Sequence, residues 1–380
     1  MTETKDSPSI SPDPAQRIKS LDALRGFDML WILGGDALAQ ATHRLSDNWL
    51  VMQFAKQLDH VAWEGFHFYD LIFPLFVFII GVSITFSLGK LAAREGRCIA
   101  TRKILFRAAF LYALGIIYYG GFSTSIEQIR LVGVLQRLAA CYLCAALIFV
   151  FVRPRGIAGI CIALLIGYWA MLAFIPVPGF GAGNYAEGKN LTNYLDKQHL
   201  PLRKWDGDHD PEGLLSTLPA IASCLLGVLA GVFLQSRNTE ARKKARYLAI
   251  SGFIALLLGI AWGTQFPIIK KIWTSSYVLV AGGYSALLFA FFYWLVDIRQ
   301  QQKWVEPFLW VGANPITLYL FDNVAGFDKI ASRLAGGPVK EFLNATLIPG
   351  LGDLVQAGIG IGLCLLLARA LYRRGIFIRI

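Results

Sequence analysis

Ten stretches of about 17–25 predominantly apolar residues recur along the chain, near 23–41, 67–89, 104–121, 129–152, 157–175, 213–235, 247–264, 275–297, 305–321 and 353–372. A helix rises about 1.5 Å per residue, so each is long enough to cross a hydrocarbon layer of about 30 Å. The pattern predicts an all-α fold, a polytopic transmembrane helical bundle of about ten spans. The segment 340–352 is too short and broken to span and reads as re-entrant or interfacial. Residues 1–16 are polar, rich in Pro and Ser, and lack an apolar core. They read as a flexible cytoplasmic tail and not a cleavable signal. Residues 17–380 then form a single transmembrane domain with a long outer loop at 176–212, and the first apolar stretch serves as a signal anchor.

Composition removes the soluble classes. Of 380 residues 56% are hydrophobic and 16% charged, and the mean hydropathy is +0.52; soluble proteins carry about 25% charged residues. A soluble α/β enzyme, a disordered chain and a secreted disulfide scaffold are excluded. Five of the six cysteines lie in apolar runs, and Cys141-Tyr-Leu-Cys144 falls mid-span, where small apolar fillers outnumber redox pairs.

A net charge of +11 suggests a nucleic-acid partner until the positions are read. Of the 36 basic residues, 21 fall on the set of loops that includes both termini and 11 on the opposite set. That is the asymmetry that orients membrane proteins, so both termini are expected in the cytoplasm and no nucleic acid is implied. His43, His60, His67, His199 and His209 all fall on the outer side of this topology.

Polar residues inside spans need a reason, because a mid-bilayer charge costs about 2.5–3.5 kcal/mol on insertion scales. The first span holds Asp22, Arg25, Asp28 and Asp36. At helical spacing Arg25 and Asp28 are neighbours and Asp36 lies about three turns on, giving a polar stripe. The alternative is an interfacial Asp22–Arg25 pair. Asp36 follows Gly34-Gly35, where another backbone or a ligand can approach closely.

A second cluster, Asp59-His60-Val-Ala-Trp63-Glu64-Gly-Phe-His67-Phe-Tyr69-Asp70, opens the second span. If helical, it pairs His60 with Glu64 and His67 with Asp70. A histidine held by a carboxylate is the minimal general base, an imidazole ordinarily titrating near 6.5. The zinc motif HExxH is absent and no cysteine is near, so no metal is expected. A third cluster runs Asp206-Gly-Asp208-His209-Asp210-Pro211-Glu212-Gly213; Asp210-Pro211-Glu212 reads either as the N-terminal cap of the sixth span or as part of a site. Gln136-Arg137 sit in the fourth span, and Asn314-Pro315 interrupts the ninth before Asp322. Gly227–Gly231 and Gly358–Gly362 have the spacing of close helix packing.

Taken in order, several segments resemble the heparan-α-glucosaminide N-acetyltransferase family of membrane acyltransferases. They are Ser20-Leu-Asp22-Ala-Leu-Arg25-Gly26, Asp59-His60 through Gly65, Asp70-Leu-Ile-Phe73-Pro74 through Gly81, Gly133-Val-Leu-Gln136-Arg137-Leu138, Asp210-Pro211-Glu212-Gly213, Ile272-Trp273-Thr-Ser-Ser-Tyr277 and Gly312-Ala-Asn314-Pro315. They cover roughly residues 17–375 without rearrangement. The resemblance implies transfer of an acetyl group from cytosolic acetyl-CoA, the co-substrate, across the bilayer to a sugar amine. It matches His60 to the family's active-site histidine. This chain departs from the family's lysosomal member in lacking its N-terminal extramembrane region, in carrying Asp36 where that member has Asn, and in carrying Asp322 where a His is expected. These departures bear on the acceptor more than on the chemistry.

The resemblance, with the compact size, implies a bacterial inner-membrane, multi-pass enzyme acting on an envelope glycan or amino sugar. His60 is then the base or acyl carrier, oriented by Asp70 or Glu64, with Asp36 the next candidate. Asn314, Gln136 or Arg137 supplies donors for the developing oxyanion. Arg94, Arg97, Arg102 and Lys103 are candidates for the phosphates of CoA. Homodimer formation, direct transfer and an acetyl-histidine intermediate stay open. Two other readings compete: a transporter or channel with an intramembrane polar pathway, and an O-acyltransferase using another acyl donor.

Overall fold

The computed structural model describes residues 18–46, 48–121, 123 and 125–377; the expected tail at 1–16 lies outside them. The described residues form helices and connecting turns, with two isolated β-bridges and no strand. In chain order the α-helices are α1 (Lys19–Leu45), α2 (Trp49–Leu58), α3 (Ile72–Tyr118), α4 (Val134–Phe151), α5 (Pro154–Phe174), α6 (Leu191–His199) and α7 (Thr217–Leu234). They continue with α8 (Ala241–Gly263), α9 (Ser275–Phe292), α10 (Glu306–Ala313), α11 (Pro315–Ala325), α12 (Phe327–Ala335), α13 (Pro338–Thr346) and α14 (Leu351–Arg373). Proline stands in the first turn of α5, α10, α11 and α13, where its missing N–H would be unpaired in any case.

Among the described residues seven helices are long and apolar enough to cross a membrane: α3, α4, α5, α7, α8, α9 with its π-helical continuation to Ile298, and α14. The 27-residue α1 carries Asp22, Arg25, Asp28 and Asp36 and falls outside that group. The predicted ninth span is two short helices, α10 and α11, separated at Asn314. The stretch predicted to be re-entrant holds most of α13 and the turn into α14.

Helix α3 joins two predicted spans. Straight, its 47 residues would reach about 70 Å. At Gly96, however, φ is 85° and ψ 165°, and the chain doubles back. Lys103 pairs with Glu95 across the bend at 3.2 Å. Tyr118, at the far end, stacks on Tyr319 with centroids 4.5 Å apart, and Tyr319 lines the same cavity as Phe73 at the near end. The expected loop between the two spans is therefore helical apart from one glycine.

The centre of the bundle is α3, α7 and α9, each more than half buried, whereas α5, α8 and α14 are less than a third buried. Their outer faces stay apolar: Phe253, Ile254, Leu257, Leu258 and Ile260 of α8 are all exposed. Such a contiguous patch has no place in water and marks the lipid face of a multi-pass membrane protein. Small residues set the inner spacing. A Cβ on Gly227 would stand 2.0 Å from the carbonyl oxygen of Phe78, and one on Gly81 2.0 Å from that of Cys224, so α3 and α7 touch backbone to backbone. Gly26 and Gly312 bring α1 and α10 together in the same way. The packing expected of Gly358 and Gly362 is not seen, since both face open space.

Candidate active site

The residues from Asp59 to His67 are irregular and not helical, which overturns the expected i,i+4 pairing of His60 with Glu64. The segment is fixed instead by an edge contact with the loop before α9: Gly65 N–H donates to the Ile268 carbonyl at 2.9 Å, and Glu64 bridges Ile269. Glu64 is exposed. Asp70 takes the orienting place.

Asp70 sits in a 3₁₀ turn ahead of α3, its side chain 1% exposed. Its Oδ2 accepts the backbone N–H groups of Val61 (3.2 Å) and His67 (3.1 Å), and its Oδ1 lies 2.9 Å from His60 Nδ1. Tyr277 of α9 donates to the Asp70 carbonyl at 2.8 Å. Because a carboxylate only accepts, the pair puts the imidazole hydrogen on Nδ1 and leaves a lone pair on Nε2. The His60 side chain is 52% exposed, and its ring packs on Tyr69 with centroids 4.7 Å apart. His67 meets Asp70 through its backbone, its N–H donating to Oδ2 and its carbonyl accepting the Asp70 N–H at 3.0 Å, and its ring Nδ1 binds the Asp59 carbonyl at 3.0 Å.

A residue that the sequence pattern did not single out completes the group. Lys270 Nζ lies 2.9 Å from His60 Nδ1, 3.4 Å from Nε2 and 3.3 Å from Asp70 Oδ1. Burial pulls this ammonium below its ordinary pKa, and the Asp70 carboxylate works against that pull. The one legible signal was two consecutive lysines in a short loop on the side poor in positive charge.

His60, Tyr69 and Lys270 stand with Glu212 at a cavity of about 220 Å³. Its wall is apolar and comes from four helices: Met29 and Ile32 of α1, Ile72, Phe73 and Phe76 of α3, Val134, Leu135 and Leu138 of α4, and Pro315, Ile316 and Tyr319 of α11. On the other flank of α1 lies a polar pocket of about 280 Å³, lined by Asp36, Gln40, Arg44, Asp328, Lys340 and Asp353 among others. Asp36 is exposed and near enough to act electrostatically on both Tyr69 and Lys270. The paired glycines before it admit side chains: a Cβ on Gly35 would meet the Tyr69 ring at 2.4 Å, and one on Gly34 would meet Ile361 at 2.6 Å.

The other sequence candidates lie apart from His60. Arg137 and Gln136 are buried beside the cavity wall. Arg137 bonds Ser216 and the Gly213 carbonyl and covers the Trp273 ring at 5.0 Å; Gln136 donates to the Arg130 carbonyl at 3.2 Å. Buried Asn314 donates to the Ile376 carbonyl at 2.9 Å, near the C-terminus. Arg97 and Arg102 are exposed at the bend of α3, about 40 Å along the helix from the His60 end. Arg25 binds Asp22 at 3.4 Å and Ser83 at 2.8 Å, so its partner is not Asp28. Asp28 is fully buried, and neither carboxylate oxygen has a hydrogen-bond partner among the described residues. Asp322 accepts the Phe327 N–H at the start of α12.

Asp210-Pro211-Glu212 does not cap α7, which begins five residues later at Thr217. Arg130, 3% exposed, forks onto Asp210 at 2.9 and 2.6 Å and reaches Glu212 at 2.6 Å, between the rings of Tyr119 and Trp205. This ion triad ties the start of α4 to the loop that carries Glu212 into the cavity.

No family model matches the chain. Among curated proteins it is 28% identical to human heparan-α-glucosaminide N-acetyltransferase and 27% identical to the mouse protein of that name, each over 84% of this chain. The chain spans about half the length of these relatives, 55% and 56%. Similarity over 84% of the chain is more than a shared hydropathy pattern gives, and across that length the chain is similar to the heparan-α-glucosaminide N-acetyltransferases.

Proposed function

We propose that the chain is a transmembrane acetyltransferase that moves an acetyl group from acetyl-CoA to the amine of an amino sugar or envelope glycan. The carrying observation is the Asp70–His60 pair with Lys270 at the rim of an apolar cavity. In this reading the bundle crosses a bacterial inner membrane ten times, α1, the two arms of α3 and the α10–α11 pair each counting as spans. Both termini are cytoplasmic and His60 faces outward.

Acyl transfer to an amine needs a base for the amine proton and a donor for the carbonyl oxygen as it becomes an oxyanion. Asp70 holds the hydrogen of His60 on Nδ1, and His60 Nε2 takes the proton as the amine attacks the thioester carbonyl; the tetrahedral intermediate then collapses with cleavage of the C–S bond, and the imidazolium returns the proton to the departing CoA thiolate. The Lys270 ammonium stands beside Nε2 and supplies the oxyanion donor that the sequence sought in Asn314, Gln136 or Arg137. The apolar wall suits the acetyl thioester and part of its pantetheine arm and keeps competing water out. Arg97 and Arg102 are too distant to share that site, so cations on the cytoplasmic side are left the nucleotide end of the co-substrate. The polar pocket beside Asp36 offers the carboxylates and amides that bind an amino sugar.

The test is incubation of detergent-purified protein with radiolabelled acetyl-CoA and a panel of amino sugars, with product identification. Acetylated amine that forms with the intact chain and is lost with His60→Ala supports the reading. Absence of transfer to every amine, with acetyl-CoA bound, sinks it.

A further inference from the structure

The structure assigns a second site, distinct from the one proposed for the acyl chemistry: Glu187, Asp206 and His209 form a binding site for a divalent cation of the zinc class, closed here by the ammonium of Lys271. All three residues belong to the loop between α5 and α7, and one ligand atom from each lies within 4.8 Å of the others.

Two carboxylates facing a lysine would by themselves be an ordinary ion cluster. His209 is what distinguishes this one. It is only 6% exposed, and its Nδ1 lies 2.8 Å from Asp208 Oδ1. The carboxylate fixes a ring hydrogen on Nδ1, so in the neutral ring Nε2 carries the lone pair. That atom is buried and has no hydrogen-bond partner among the described residues. Leaving a buried polar atom unsatisfied is unfavourable. It points at Glu187 Oε1, 3.8 Å away, and Asp206 Oδ2, 3.9 Å away.

Lys271 Nζ occupies the space between the carboxylates, 2.8 Å from Glu187 and 3.2 Å from Asp206. It satisfies their charge and leaves the imidazole nitrogen unserved. A metal ion satisfies all three, because it accepts the nitrogen lone pair as well as the oxygens. Nitrogen and oxygen ligands hold zinc at about 2.0–2.2 Å, which places neighbouring ligand atoms roughly 3.3–3.5 Å apart in a tetrahedron. The imidazole-to-carboxylate separations of 3.8 and 3.9 Å must therefore close by about half an ångström, with the two carboxylates drawn together from within 4.8 Å, and a fourth position is left for water. The Asp208–His209 pair is the outer-shell carboxylate that histidine ligands of metals usually carry, and Lys197 steadies Asp208 at 3.1 Å. Lys271 is on a flexible stem and partly exposed, so it can swing out to solvent. Its chain neighbour is Lys270, which means that an ion here also pins the segment that reaches His60. The expectation of no metal did not bring Glu187, distant in sequence, to the cluster at 206–213.

The experiment is titration of the full-length, tag-free, detergent-purified protein with Zn²⁺ by calorimetry and with Co²⁺ by visible absorption. One equivalent should bind, with the intense bands of a four-coordinate Co²⁺ centre. His209→Ala should abolish the bands, and Asp208→Asn should weaken affinity about 10–100-fold. Lys271→Met removes the competing cation and should tighten binding about tenfold or more, a gain that misfolding cannot imitate. Equal binding by wild type and His209→Ala, or failure of Lys271→Met to bind more tightly than wild type, overturns the site.

Discussion

At the scale of single residues the proposed chemistry concentrates on two side chains. His60→Ala is expected to lower acetyl transfer by at least about 100-fold with acetyl-CoA binding retained, the lower range for loss of a general base. His67→Ala should cost far less, because its ring holds only the Asp59 carbonyl. Turnover and binding assays on the two purified variants separate them, and near-normal turnover by His60→Ala removes it as the base. Lys270 makes a different mark. Its Nζ stands 2.9 Å from His60 Nδ1 and 3.4 Å from Nε2, as the donor proposed for the oxyanion. Lys270→Met deletes that donor and should lower kcat by about 100-fold or more with acetyl-CoA binding retained, and Lys270→Arg should keep part of the activity. Turnover and binding measured for the three proteins decide it; an unchanged kcat in Lys270→Met shows that the lysine is not the oxyanion donor.

Elements carry the next layer. Arg130 is the bolt between the entrance to α4 and the loop that precedes α7. Arg130→Met leaves Asp210 and Glu212 facing each other without a cation in a buried place. Burial already pushes the Glu212 carboxyl above its ordinary range, against the pull of Arg137 and Arg130. The loss should reach about 3–5 kcal/mol, read as a fall in thermal midpoint in detergent, and Arg130→Met with Asp210→Asn should recover part of it. No periodicity shows such a pairing, because its partners are 80 residues apart. What the sequence does disclose is instructive by contrast. The spans at α4, α5, α7, α8, α9 and α14 follow from runs of apolar residues and need no tertiary information. The segment 59–67 misleads for a local reason: its carboxylates and histidines have helical spacing, but backbone bonds to Ile268 and Ile269 hold it open, so Asp70 and not Glu64 reaches His60. Asn314 was visible as the break in the ninth span, whereas its distance from His60 depends on packing that only coordinates supply.

For the whole molecule the governing prediction is sidedness. With 21 basic residues on one set of loops and 11 on the other, a reporter active only outside the cytoplasm should work when fused after Asn190 and fail after Gln235 or at the C-terminus. The reverse pattern at both internal sites inverts the bundle and moves His60 to the cytosol, where acetyl-CoA and acceptor would share one compartment and no transfer across the bilayer would be required.

The bend in α3 has a consequence for how this protein tolerates change. Most reversals in the chain pass through several irregular residues, as between Leu234 and Ala241, and such stretches absorb insertions at little entropic cost. The turn at Gly96 has no such slack. Its φ of 85° suits glycine and strains other residues, and both arms are already helical up to it. A short epitope placed after Arg237 should therefore leave expression intact, while the same epitope beside Gly96, or Gly96→Val, should deplete the membrane-inserted protein. The evolutionary reading is that length variation among related chains should collect at the first position and avoid the second.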